Sequence, residues 1–212
     1  MRSCSPGVCC AIVGSLLYVA GSARGAAKDY DFKDPKGVNA ISFVLDSVLE
    51  PIMGLASGIS GRVSFDPDKP EATSGSIVVS AKSLHIENQG MEKTLHGGDW
   101  LDVDHFPEIT FTFRKIKDVK RTPAGAIEMT VTGDFTAKGV TKRLTIPVRA
   151  THLADRLGER LHRGSGDLLV LRTRFTINRK EFNISPRSSG EVVADDIEIR
   201  ASIVGMAPEP KE

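Results

Sequence analysis

Residues 109–114 read ITFTFR, so the apolar Ile109, Phe111 and Phe113 alternate with polar side chains. Successive side chains of a β-strand point to opposite faces, and this alternation therefore predicts a strand with one buried face. The β-branched and aromatic residues are typical of strands. The same spacing recurs along the chain, at residues 39–47, 59–65, 127–135, 144–148, 169–177 and 197–203. The sequence predicts an all-β chain of about eight strands.

Turn-forming residues lie between these segments, at 66–70, 122–125 and 138–139, and predict antiparallel hairpins. The apolar phase shifts within residues 76–87, which predicts a β-bulge near Lys82 and Ser83. Residues 88–107 alone depart from the pattern, because Met91, Leu95 and Trp100 have roughly helical spacing there. We expect one short helix or plug. Eight such strands stack as a sandwich or close into a barrel, and a closed eight-stranded barrel has room for one small ligand.

Residues 1–27 have the order of a signal peptide. Arg2 precedes an uncharged apolar run of residues 8–20, and small residues place cleavage after Ala23 or Ala27. As a helix that run rises about 20 Å, less than the roughly 30 Å of a bilayer core. We therefore expect residues 28–212 to form one exported domain, periplasmic or secreted. All three cysteines precede residue 28, so the exported domain holds no disulfide.

The sequence contains no recognisable catalytic, metal or cofactor motif. The histidines are scattered, and neither a phosphate-binding loop nor a dinucleotide motif occurs. We predict a binding protein without a cofactor. The alternative is an enzyme acting on a lipid within the same barrel, with His96 paired to Asp99 or Asp102.

Charge bears on the partners of the predicted domain. Removal of residues 1–27 leaves 26 basic and 27 acidic residues, and this balance does not favour nucleic acid. A basic run over 114–121 is either a surface for lipid headgroups or pyrophosphate, or simply a solvated edge. Peripheral membrane contact and a homodimer through exposed strand edges are both consistent with this pattern.

The aromatic residues allow two interpretations of the barrel interior. Nine phenylalanines and one tryptophan, several on the inward series, form a lining suited to an alkyl or prenyl chain. The same aromatics are equally suited to filling a small barrel completely, which would leave a structural or stress protein whose function lies on its surface.

Four stretches, in order, resemble the YceI-like family of small exported bacterial proteins, and the likeness covers about residues 38–205. The most specific is GGDWLDVDHFPEITF at 97–111, followed by GDFTAKGVTKRLTIPV at 133–148. Weaker matches are RFTINRKEFNI at 174–184 and VVADDIEIRASI at 192–203. The chain departs from the family at Asn183, where glycine is common, and in an insert at 153–166.

This resemblance implies an eight-stranded antiparallel, lipocalin-like barrel whose apolar tunnel holds a polyisoprenoid, a quinone, a prenyl pyrophosphate or a fatty amide. From the alternation we predict that the wall of the tunnel comprises Phe43, Phe65, Phe111, Phe113, Met129, Phe135, Phe175 and Ile177. Trp100 and Phe106 are predicted near the helix and the mouth. Arg179 and Lys138 are the predicted headgroup ligands, because both lie in matched motifs near strand ends.

Overall fold

The computed structural model describes Met1 and residues 27–209. Two helices, α1 (Gln89–His96) and α2 (Leu157–Leu161), accompany the strands. The strands are β1 (Lys28–Asp31), β2 (Ala40–Leu45), β3 (Ile52–Ala56), β4 (Ile59–Phe65), β5 (Ser74–Ser80), β6 (Leu84–His85), β7 (Glu108–Arg121), β8 (Ile127–Ala137), β9 (Val140–Leu153), β10 (Gly166–Asn178) and β11 (Asp196–Pro208). The predicted signal peptide lies almost entirely outside the described residues. Within residues 27–209, no helix is long and apolar enough to cross a membrane.

The strands close into an eight-stranded antiparallel barrel, which confirms the predicted fold class. The ring runs β1–β4–β5–β7–β8–β9–β10–β11 and closes where Asp31 of β1 pairs with Met206 of β11. Further along β11, β2 replaces β1 as its neighbour. From there β2 pairs with β3, and β3 pairs with β6, in the same order as β1 pairs with β4 and β4 with β5. Three of the eight wall positions are therefore interrupted strands.

One of these interruptions corrects a prediction from the sequence. The predicted β-bulge near Lys82 and Ser83 is wrong, because residues Ala81–Ser83 form a 3₁₀ turn that separates β5 from β6. The Ser83 hydroxyl donates a hydrogen bond of 2.7 Å to the Ser80 carbonyl and holds this turn. A bulge is an extra residue within a pair of hydrogen-bonded strands. A 3₁₀ turn also changes which residues face inward, but it does so by interrupting the strand.

The predicted short helix is confirmed as α1. Asn88 caps it, because the side-chain oxygen of Asn88 accepts a hydrogen bond of 3.0 Å from the backbone N–H of Met91. Leu95 is buried on the inner face of the helix. The second helix, α2, lies in the insert and packs Leu157 against Leu168 and Met206 in a small separate cluster.

The barrel has a packed end and a hollow end. Tyr30, Phe65, Met129 and Leu169 belong to one core cluster and are almost completely buried. A second cluster contains Leu95 of α1 together with residues of the β10–β11 connection, among them Phe182, Ile184 and Val193. The cavity described below lies between these two clusters.

A buried ionic cluster ties strands together at the packed end. The Asp167 carboxylate is 3% exposed and accepts hydrogen bonds from Lys28 Nζ (2.7 Å) and from the Asp155 backbone (3.0 Å). His152 Nε2 lies 3.1 Å away from the same carboxylate. Burial raises the pKa of Asp167, but these hydrogen bonds outweigh burial and lower it to about 2. Burial, with Asp167 nearby, raises the pKa of Tyr30.

Candidate ligand-binding site

An apolar cavity of about 160 Å³ occupies the hollow half of the barrel. Among residues 27–209, no charged side chain lines it, and the only hydroxyl-bearing residues that do are Thr110 and Thr173. The apolar lining comes from every wall position, from α1, and from the α1–β7 and β10–β11 connections. Its residues are Ile41, Phe43, Leu45, Ala56, Ile77, Val79, Leu84, Leu95, Trp100, Leu101, Ile109, Phe111, Phe113, Phe135, Ala137, Ile146, Val148, Leu171, Phe175, Ile177, Ile184, Ile197, Ile199, Ala201 and Ile203.

Strand geometry explains why this half remains open. Phe111, Phe175 and Ile199 line the cavity, yet they are only partly buried, because they face empty space instead of other side chains. The Phe111 ring lies over Gly133 of β8, where an added Cβ would come within 2.4 Å of the ring. Gly133 thus allows Phe111 to lie flat against the wall, which leaves the centre of the barrel unfilled.

A second cavity of about 440 Å³, here called the vestibule, adjoins the first at the α1 end of the barrel. The two cavities share Phe43, Leu45, Leu95 and Trp100. The vestibule is more polar, and its remaining lining residues are Glu50, Ile52, Ile86, Asn88, Gly90, Met91, Thr94, Ser188 and Val193. An apolar chamber that opens through a partly polar one suits a ligand with a long apolar chain and one polar end.

The structure brings most of the predicted wall residues together. The cavity is lined by Phe43, Trp100, Phe111, Phe113, Phe135, Phe175 and Ile177. Phe65 and Met129 line neither cavity, because they fill the packed end, 1% and 4% exposed. Phe106 also lies apart from both cavities, against Gly139 in the β8–β9 turn. The predicted aromatic residues therefore line a cavity in one half of the barrel and fill the core in the other half.

Arg179 does not fit its predicted role as a headgroup ligand. Its side chain is completely buried and lines neither cavity. The guanidinium donates to the backbone carbonyls of Ala194, Ile184, Ser185, Ser188 and Val193 and to the Asp195 carboxylate. All of its donors are therefore engaged within the protein, where they fix the β10–β11 connection over the hollow half.

Lys138 has a similar structural position. Its Nζ donates to the carbonyls of Asp99 and Asn183, each at 2.9 Å, and so joins three loops at this end. Burial lowers the pKa of Lys138, and the nearby Asp99 and Asp102 partly oppose that effect. Lys138 lines neither cavity.

The alternative catalytic groups are not brought together. His96 Nε2 lies 2.8 Å from the Leu84 carbonyl, Asp99 pairs with Arg187 (3.2 Å), and Asp102 pairs with His105 (2.8 Å). Residues 27–209 contain no group of three or more metal-ligating side chains. Of the basic run on β7, Arg114 pairs with Asp134 at 2.7 Å on the outer wall, away from both cavities.

Sequence reasoning missed two parts of the lining. Ile184 and Val193 belong to the β10–β11 connection, where no periodicity marks them. Glu50 lies in the β2–β3 turn and gives no signal in the sequence. Small inward residues such as Ala56 and Ala201 follow the alternation, but a search that favours aromatic residues passes over them.

Fold and site together define a closed antiparallel β-barrel with an apolar internal cavity. Residues 34–205 match the YceI-like domain, and the chain belongs to that family. Among its relatives, the UPF0312 protein YE1254 of Yersinia enterocolitica is 30% identical over 141 residues, which span 66% of this chain and 69% of that protein.

Solved structures share the fold. Burkholderia cenocepacia BcnA superimposes with a TM-score of 0.62 at 26% identity, covering 78% of this chain and 95% of BcnA. A polyisoprenoid binding domain from Saccharophagus degradans, implicated in plant cell wall breakdown, gives a TM-score of 0.62 at 10% identity, covering 84% of this chain and 98% of that domain. The second likeness concerns the fold alone.

Proposed function

We propose that the protein binds a long apolar lipid, such as a polyisoprenoid, in the barrel and acts as a carrier and not as an enzyme. The observation that carries this proposal is the internal cavity, whose lining contains no charged residue and only two threonine hydroxyls. Membership of the YceI-like family and the polyisoprenoid binding domain of the same fold support it.

The cavity has the physical properties that such a ligand requires. Dry apolar cavities near 150 Å³, lined by Leu, Ile and Phe, accept small hydrocarbons. Each methylene removed from water contributes about 0.8 kcal/mol, so about ten buried carbons supply the roughly 8 kcal/mol of micromolar binding before entropic costs are subtracted. Apolar burial supplies the affinity, and no polar catalyst takes part.

The proposal extends to location and to the source of the lipid. The signal-like order of residues 1–27 supports export to the periplasm or beyond. Val48 and Leu49, 84% and 69% exposed, lie in the turn that carries Glu50 to the vestibule, and Val192, also exposed, precedes Val193. Apolar side chains exposed beside the opening favour peripheral contact with a membrane. The homodimer stays a prediction.

Organic extraction of the purified protein followed by mass spectrometry tests the proposal. We expect a prenyl or fatty species in near-stoichiometric amount. The matched control is an exported protein without a cavity, purified from the same host in the same way. The proposal fails if extracts match the control and the protein also does not bind added isoprenoids.

A further inference from the structure

The electrostatic character of the two cavities is set by a single side chain. Among the residues that line the apolar cavity and the vestibule, Glu50 alone is charged. Lys93 and Arg187 are exposed next to the lining residues Thr94 and Ser188, but neither lines the vestibule itself. Arg179 and Lys138 donate to backbone carbonyls, and Lys180 pairs with Asp195 at 2.8 Å. The opening is therefore lined by a carboxylate without a basic counterpart.

Glu50 is placed to meet the polar end of a bound ligand. It lies in the turn between β2 and β3, whose neighbouring residues Leu45 and Ile52 also line the vestibule. Within residues 27–209 its carboxylate makes no ion pair or side-chain hydrogen bond. Its charge is therefore available to whatever enters the vestibule.

The other polar groups of the vestibule do not offset this charge. The first turn of α1 has its own partners, because Asn88 accepts from Met91 N–H and the Glu92 carboxylate accepts from Ile86 N–H at 3.2 Å. The Asn88 amide nitrogen remains as a neutral donor, and the Thr94 hydroxyl, which donates to the Gly90 carbonyl at 3.0 Å, can still accept a hydrogen bond. These groups accommodate an alcohol, an amide or an amine.

We propose that Glu50 is a specificity-determining residue that makes the protein select lipids with an uncharged or cationic polar end and reject those with an anionic end. This inference rests on the proposed lipid-binding function. A phosphate or pyrophosphate in the vestibule would lie beside the Glu50 carboxylate without a basic side chain to compensate, and like charges at close range repel. A protonated amine would instead pair with Glu50.

Three ligands with the same chain test this proposal: farnesol, farnesylamine and farnesyl pyrophosphate. Trp100, the only tryptophan in the chain, lines both cavities, so its fluorescence reports binding without a label. We expect farnesyl pyrophosphate to bind at least about tenfold more weakly than farnesol, and farnesylamine at least as tightly as farnesol. Concentrated salt should narrow the difference, because it screens charges at an exposed site.

The Glu50→Gln variant isolates the charge. It should bring the affinity for farnesyl pyrophosphate to within about threefold of the affinity for farnesol, both measured on the variant. Comparing the two proteins cancels differences in ligand solubility. Glu191→Gln is the matched control, since Glu191 is exposed on the nearby β10–β11 connection but does not line the vestibule, and it should preserve the discrimination.

The outcomes separate this inference from the proposed function. Equal binding of all three ligands, or discrimination that E50Q leaves unchanged, would overturn the role of Glu50 and leave lipid binding intact. Failure of every ligand to bind would instead overturn the proposed function, and the inference with it.

Discussion

Ala201→Phe should abolish lipid binding without unfolding the barrel. Ala201 of β11 lies opposite Thr173 of β10 and Ile41 of β2, and all three residues line the apolar cavity. A phenyl ring at this position would occupy much of a cavity of about 160 Å³. Enlarging a side chain in a filled core costs about 1–3 kcal/mol, and the cost here is smaller because the space already exists.

The expected loss of affinity follows from the apolar surface that the ring displaces. At about 0.8 kcal/mol per carbon, excluding one five-carbon isoprene unit weakens binding by about 4 kcal/mol, roughly a thousandfold in Kd. Trp100 fluorescence with farnesol measures the affinity, and thermal unfolding checks the fold. Ser202→Phe is the control, because Ser202 is exposed on the outer face of β11 and its ring should leave Kd unchanged. A folded A201F protein that binds farnesol normally would refute the assignment of the cavity.

Three further predictions concern other parts of the molecule. Folding lowers the pKa of Asp167 from 3.8 to about 2, so its charge contributes about 2 kcal/mol of stability above pH 4, which is lost as the pH falls to 2. Urea unfolding between pH 4 and pH 2 should therefore show that the Asp167→Asn variant loses about 2 kcal/mol less stability than the unaltered protein. Equal losses in the two proteins would contradict this prediction. Arg179→Gln should destabilise the protein by about 3–5 kcal/mol, since it leaves buried carbonyls without a donor and leaves Asp195 with Lys180 as its remaining cation. The exposed Arg187→Gln should change the unfolding free energy little, and similar values for both would exclude a structural role for Arg179. The double variant Val48→Asp, Leu49→Asp should slow the transfer of a fluorescent prenyl lipid from vesicles without altering the Kd for farnesol. The control Val38→Asp, at an exposed valine of the β1–β2 loop, should leave the transfer rate unchanged. An unchanged transfer rate in the double variant would count against membrane contact through the β2–β3 turn.

The sequence predicts the barrel well because alternation follows directly from burial. Residues 109–113 and 197–203 each have one face against the interior, so their period of two is visible without a structure. The number of strands follows from repeating this pattern, whereas alternation alone does not decide between a closed barrel and a sandwich. The sequence does not distinguish the 3₁₀ turn at Ala81–Ser83 from a bulge, because both features shift the apolar phase in the same way.

The sequence predicts the site only in part. Alternation identifies which residues point into the barrel, but not whether they lie at its packed end or beside the cavity. Met129 and Phe135 both point inward from β8, yet Met129 is packed and Phe135 lines the cavity. The predicted headgroup ligands Arg179 and Lys138 do not line the cavities, for a different reason. Arg179 and Lys138 follow the ends of β10 and β8, but backbone carbonyls take their donors. Arg179 binds the β10–β11 connection that follows it, and Lys138 binds loops 39 and 45 residues away, an arrangement that leaves no local pattern in the sequence.

The packed end of the barrel also makes its two ends different for a ligand. Phe65, Met129 and Leu169 form a floor beneath the cavity, so the vestibule serves as both entrance and exit for a ligand. Under the proposed function, a lipid would therefore enter tail first and leave head first. A chain longer than the chamber would stop at this floor, and its surplus length, together with the polar end, would project from the mouth. Such an end would be the part of the cargo that a receiving protein or membrane meets first, before the barrel has released anything.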